Sequence, residues 1–199
     1  MNAQLLGSAT AFSLLAIAGP AFAADHLENC SNADLKGRYG VTTRGAIMGV
    51  YDTANPTPQA IHYYDLPRIT DNISTEIFDG KGNSTFSYLA FTNGVKSSTS
   101  PDPANEFNTQ GAGTYTVNLD CTGFVDVVFP NLNNPNNRFE FHRAFVLSND
   151  GKTVHMLWTD VHFPGIAPTQ LPAGASCMGG PVGVGCDLAV QIRSDGERY

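Results

Sequence analysis

The feature that most constrains this chain is a rhythm. From Lys36 onward, short runs rich in Val, Ile, Thr, Tyr and Phe alternate with clusters of Gly, Asn, Asp and Pro. Runs of the first kind suit a pleated, half-buried surface, and clusters of the second kind interrupt regular structure. Nowhere does an apolar pattern of helical period persist beyond a turn or two. An all-β fold follows, with strands expected near 37–47, 60–70, 72–79, 84–92, 112–119, 124–129, 138–147, 153–163 and 187–193.

The turns fix how these strands pair. Asp79-Gly80-Lys81-Gly82-Asn83, Asp120-Cys121-Thr122-Gly123 and Asn149-Asp150-Gly151-Lys152 each place residues that tolerate positive φ between two alternating runs, and Asn93-Gly94 is the same device. Consecutive hairpins are therefore expected: 72–79 with 84–92, 112–119 with 124–129, and 138–147 with 153–163. A meander of this kind closes into a barrel or stacks into a sandwich. The barrel is preferred, because these strands carry few of the charged or proline blockers that protect open edges. Longer loops are expected at 49–59, 96–109 and 164–186. No internal repeat or linker divides residues 24–199, which read as a single domain.

The first 23 residues read as an address. They carry no charged side chain; an apolar stretch from Ala11 to Ala18 is followed by Gly19-Pro20 and then Ala21-Phe22-Ala23. Small residues three and one positions before Ala24 match a secretory cleavage site, and the apolar run is well short of the ~20 residues of a spanning helix. A secreted or periplasmic protein is expected, with no integral membrane association. Composition narrows the partners. With 18 acidic and 11 basic residues the net charge is −7, and the few Lys and Arg are nowhere clustered. That leaves no electrostatic footprint for nucleic acid or anionic lipid.

Export gives the four cysteines a meaning. Cys177 and Cys186 bracket a Gly-rich loop that closes on itself with little strain, which leaves Cys30 to pair with Cys121. No CxxC pair is present, and an oxidising compartment favours disulfides over zinc.

The run Cys30-Ser-Asn-Ala-Asp-Leu-Lys-Gly37-Arg-Tyr39-Gly40 resembles the opening of secreted bacterial proteins with an allene oxide cyclase-like barrel. Further marks are Phe78 to Asn83, Gly111 to Gly123, and Phe145 to Val154, in order across most of residues 30–160. The resemblance implies a closed antiparallel barrel of about eight strands, calycin-like and related in shape to lipocalins. In plant allene oxide cyclases such a barrel holds an apolar epoxide and guides its ring closure. The shared marks are turn chemistry and carry over no catalytic position.

Candidate site residues lie on two strands. With period two, Phe139, Phe141, Arg143, Phe145 and Leu147 share one face, and Glu140, His142, Ala144 and Val146 the other. If the aromatic face points inward, Arg143 requires a carboxylate there, from an anionic ligand or from a protein acid. On the next strand Val154, Met156, Trp158, Asp160 and His162 fall on one face. Trp158, the only tryptophan, is a natural wall for an apolar pocket. Asp160, His162 and Glu140 are the candidates for acid–base work, and Asp160 and His162 could alternatively be two metal ligands, with a third from His142 or Glu140 on the neighbouring strand. Their spacing matches no metal motif, and no metal or other cofactor is expected. No G-x-S-x-G elbow exists, and nothing suggests a hydrolase nucleophile.

The expected function is an exported barrel that binds a small, largely apolar ligand through Phe139, Phe141, Phe145 and Trp158, with Arg143 as the anchor for a carboxylate-bearing one. Its rivals are a non-hydrolytic isomerase or cyclase acting on such a ligand, and a structural envelope protein with a filled barrel. Protein recovered from the exported fraction should begin at Ala24, because Ala21 and Ala23 offer the small side chains the peptidase requires. Intact-mass measurement checks this; a soluble exported chain still starting at Met1 would refute it.

Overall fold

A computed structural model describes residues 29–56, 59–98, 102, 104–130, 138–148, 150–164, 171–175 and 185–199. The segment 1–28, with its expected cleavage site, and Cys177 lie outside the described residues. The strands are β1 (Gly37–Pro56), β2 (Gln59–Phe78), β3 (Asn83–Thr92), β4 (Val95–Lys96), β5 (Asn108–Val117), β6 (Thr122–Phe129), β7 (Phe139–Leu147), β8 (Thr153–Pro164) and β9 (Gly185–Arg198). All pairings are antiparallel. Their order is β2-β1-β9-β8-β7-β6-β5-β3-β4, and β2 also pairs with β3. Eight strands thus form a ring, with the short β4 attached beside β3. The fold is all-β, and the three expected hairpins are β2–β3, β5–β6 and β7–β8.

The turn residues do what their chemistry predicts. Gly80, Gly82, Gly94 and Gly151 have positive φ, as do Asn93 and Cys121. The Asp79 carboxylate accepts hydrogen bonds from the backbone N–H of Lys81 at 2.7 Å and of Asn83 at 2.9 Å. At the β7–β8 turn, Asp150 likewise accepts from the Lys152 N–H at 3.0 Å and the Ser148 hydroxyl at 2.8 Å.

Two departures from the sequence expectation matter for the site. The strands expected at 60–70 and 72–79 are one strand, β2. The turn-forming pair Asp71-Asn72 sits inside it, because Asp71 meets Arg44 of β1 on the outer face (3.3 Å) while Asn72 is buried. Secondly, β8 carries a bulge. His142 pairs with Asp160 but Arg143 with Trp158, so Thr159 has no partner on β7 and the alternation changes face. The interior therefore receives Val154, Met156, Trp158 and then Val161, while Asp160 is exposed. A third irregularity lies between β1 and β2. Ile47 pairs with Arg68 and Gly49 with Tyr63, so four residues of β2, including Pro67 with no N–H to offer, oppose Met48 alone.

One end of the ring is packed solid. Tyr39, Phe78, Tyr115, Phe145 and Leu147 are buried there, with Phe78 edge-on to Tyr39 at 5.5 Å and to Tyr115 at 5.1 Å. Residues 29–36 lie across the hairpin turns at this end. Cys30 is disulfide-bonded to Cys121 in the β5–β6 turn, Leu35 is fully buried, and Asn32 O accepts from the Tyr115 hydroxyl at 3.1 Å. The fit at the β7–β8 turn is close: a Cβ on Gly151 would stand 2.7 Å from Asp34 O. Closing a loop with a sequence separation of 91 confers up to about 4–5 kcal/mol in the chain-entropy account. Cys186 is also disulfide-bonded.

The two turn carboxylates give a pH signature. Hydrogen bonds from Asn83 and neighbouring backbone hold Asp79 down to about 2, and bonds from Lys152 and Ser148 hold Asp150 down to about 2. Groups depressed in the folded state lend stability that is complete above the ordinary carboxylate range and lost as pH falls through the folded value. The melting temperature should therefore drop between about pH 4 and pH 2, and Asp79→Asn with Asp150→Asn should flatten that fall. An unchanged slope in the double variant would refute the assignment.

Candidate functional site

Below the midpoint of the ring is the packed core, and the boundary is an ion pair. Glu76 of β2 and Arg143 of β7 are 1% and 0% exposed, respectively. Arg143 Nη1 donates to Glu76 Oε1 at 2.5 Å and Nη2 to Oε2 at 2.8 Å, a two-pronged contact. Counted either way round the ring, β2 and β7 are four strands apart, so the pair crosses the interior. The carboxylate that Arg143 requires is thus supplied by the protein itself rather than by a ligand. The guanidinium also lies 5.1 Å from the Phe141 ring centroid and 5.5 Å from that of Phe86.

Both rings also help to line a cavity of about 260 Å³ in the other half of the ring. Its walls are chemically unequal. β7, β8 and β9 contribute only hydrophobic side chains, among them Phe139, Phe141, Trp158, Val161, Leu188 and Ile192. Across from them, β2 contributes Tyr64, Arg68, Thr70 and Asn72, every one with a polar group. Trp158 is stacked on Phe141 (4.2 Å, interplanar 17°), and its Nε1 donates to Ser194 Oγ at 2.9 Å. Ser194 Oγ lies 2.7 Å from Thr43 Oγ1, so hydrogen bonds to β9 and β1 fix the indole plane.

The cavity's titratable groups are Tyr64, Tyr88 and Arg68; among the described residues its lining holds no carboxylate and no histidine. Burial pushes the Tyr88 hydroxyl up to about 12. Burial also raises Tyr64, partly opposed by Arg68, whose guanidinium stacks 4.2 Å over the Tyr64 ring. Both tyrosines are neutral hydroxyls at neutral pH. Asn72 is only 8% exposed, and its Oδ1 has no hydrogen-bond partner among the described residues; the Tyr64 hydroxyl is likewise unpartnered.

Of the residues singled out in the sequence, Phe139, Phe141 and Trp158 line the cavity. Phe145 is buried in the packed half, and Arg143 lies behind the aromatic floor. The acid–base candidates sit elsewhere. Glu140 pairs with Arg138, His162 Nδ1 is 2.9 Å from Asp187 Oδ1 on β9, and Asp160 is exposed. His142 is paired with Asp126, and none of these four residues lines the cavity. Among the described residues no group of three His, Cys, Asp or Glu is placed to hold a metal.

Glu76, Asn72, Tyr64 and Tyr88 were missed as site residues. The available signal was the alternation in β2, where Thr70, Asn72, Ser74 and Glu76 share a face that ends on Phe78. Comparison with family models, with curated proteins and with solved structures finds no match.

Removing one partner of the buried pair should be costly. Arg143→Met leaves the Glu76 carboxylate stranded and should lower the unfolding free energy by about 3–5 kcal/mol, whereas Arg143→Met with Glu76→Leu should recover most of it. Urea denaturation of the three proteins checks this; equal losses in the single and double variants would refute the pairing as the cause.

Proposed function

We propose that the ring of strands is a calycin-like barrel of an exported protein, and that it binds a small, largely apolar molecule in the half left open by the Glu76–Arg143 pair. The observation that carries this reading is the 260 Å³ cavity walled by Phe139, Phe141, Trp158 and Ile192. Concave, mostly apolar sites with a few placed polar groups are where small ligands bind. The volume is roughly nine times the ~30 Å³ of a water molecule, room for a compact ligand of about ten non-hydrogen atoms. The disulfide Cys30–Cys121 fits an oxidising, exported setting, and no helix among the described residues is long and apolar enough to cross a membrane.

Two observations favour binding over its rivals. Acid–base catalysis needs a titratable group beside the reacting atoms, and the described lining offers only two neutral tyrosine hydroxyls and Arg68. A filled structural barrel would have side chains where the cavity lies.

Trp158 supplies the test, since it is the chain's sole tryptophan and lines the cavity. Titration with menthane, a compact apolar probe, should change Trp158 emission saturably. Val161→Phe, which places a ring in the same space, should weaken that binding at least tenfold and leave the melting temperature close to that of the parent. Absence of a saturable response, confirmed by native mass spectrometry without a bound probe, would refute the reading.

A further inference from the structure

The unequal walls of the cavity specify its ligand more narrowly than apolar character alone. We propose that the cavity selects an apolar molecule bearing one hydrogen-bond donor, a hydroxyl or N–H group, which the Asn72 side-chain oxygen accepts; this rests on the binding function proposed above.

The argument starts from an acceptor without a donor. Asn72 Oδ1 is buried and unpartnered among the described residues; Ser74 Oγ, Ser84 Oγ and Arg143 Nε share that state, but of these four only Asn72 lines the cavity. A buried polar atom left unbonded costs free energy. Nothing in the local fold requires Asn at this position. The residue sits inside a continuous strand, in register with Thr43 of β1 and Ala90 of β3, where an apolar side chain would pack without such a cost. Asn72 is moreover a lining residue of the cavity rather than of the packed core.

The geometry fixes how a ligand would lie. β2 faces β7 across the ring, as the Glu76–Arg143 contact establishes. A molecule in the cavity therefore has Asn72 on one side and the Phe139, Phe141 and Trp158 rings on the other. An apolar body against the aromatic wall with a single donor turned to β2 satisfies both. A ligand without a donor leaves Oδ1 unbonded and displaces any water that had reached it. Tyr64, also with an unpartnered hydroxyl, extends the polar strip along the same strand toward Arg68.

A matched pair of probes separates this inference from the one beneath it. Menthol and menthane share a carbon skeleton and differ by one hydroxyl, and neither absorbs where tryptophan does. Their affinities, read from Trp158 emission in the full chain, give a menthol-to-menthane ratio. Asn72→Leu should lower that ratio about tenfold, because the hydroxyl would then be buried without its acceptor, while menthane affinity holds or improves. Asn72→Ala repeats the measurement in case leucine does not fit, and thermal unfolding confirms that each variant is folded. A ratio unchanged in both variants overturns the donor-selective role of Asn72 and leaves apolar binding standing. Failure of the parent protein to bind either probe overturns both.

Discussion

Two opposite charges, buried within hydrogen-bond distance and drawn from strands that never touch, hold the rest of this structure in relation. Glu76 and Arg143 are 67 residues apart in the chain and meet across the ring's interior. Neither charge is tolerable there alone, since an unpaired ion in a low-dielectric interior costs several kcal/mol or more. The contact exists only when every intervening strand pairing is made in the right register. A slip of one residue in β2 or β7 would turn one partner to the outside. The pair thus adds little stability over a well-packed apolar substitute, yet it discriminates strongly between the correct closure and its neighbours. It also accounts for Glu76 on the inner face of β2, a strand whose Ile69, Ile73 and Ile77 are exposed.

Much of the fold was legible in the sequence, and the reason is local. Turns such as Asp79–Asn83 and Asp150–Lys152 demand residues that accept positive φ and carry side-chain acceptors, so hairpin positions follow from a few adjacent residues. Aromatic residues of β7 were legible for the same reason, because an uninterrupted alternation needs no knowledge of distant strands. The failures are non-local. The break expected between 60–70 and 72–79 disappears once one knows that Arg44 meets Asp71 and that a cavity lies beside Asn72. The bulge at Thr159 is invisible to a period-two reading, which therefore joins Trp158 to Asp160 when the fold separates them. Arg143 announced a need for a carboxylate, but nothing near it in sequence could name Glu76.

Burial of charge at mid-height also decides where aromatic side chains have different work. Toward the turns, Phe78 and Tyr115 meet edge to face and exclude space. Toward the opposite end, Phe141 and Trp158 lie parallel beside the cavity, with the indole held by Ser194, itself bonded to Thr43. Fixing the indole by a hydrogen bond as well as by stacking keeps a large ring ordered beside open volume, where dispersion contacts on one side are missing.

The segment 29–36, anchored across the turns by Cys30 and Leu35, completes an asymmetry with evolutionary weight. Tyr39, Phe78, Phe145 and the disulfide concentrate the residues that hold the molecule together in one half. The other half carries the disulfide-bonded Cys186 and buried wall residues such as Phe141 and Val161, but on β2 the lining residues Tyr64, Arg68 and Thr70 are only partly buried and border open volume. Under the binding role proposed above, substitutions at those partly buried positions would alter which molecule is preferred at less cost in folding energy than at the packed end. Such a pocket would be open to reassignment on an unchanged frame, since the positions that shape it are not those that close the turns.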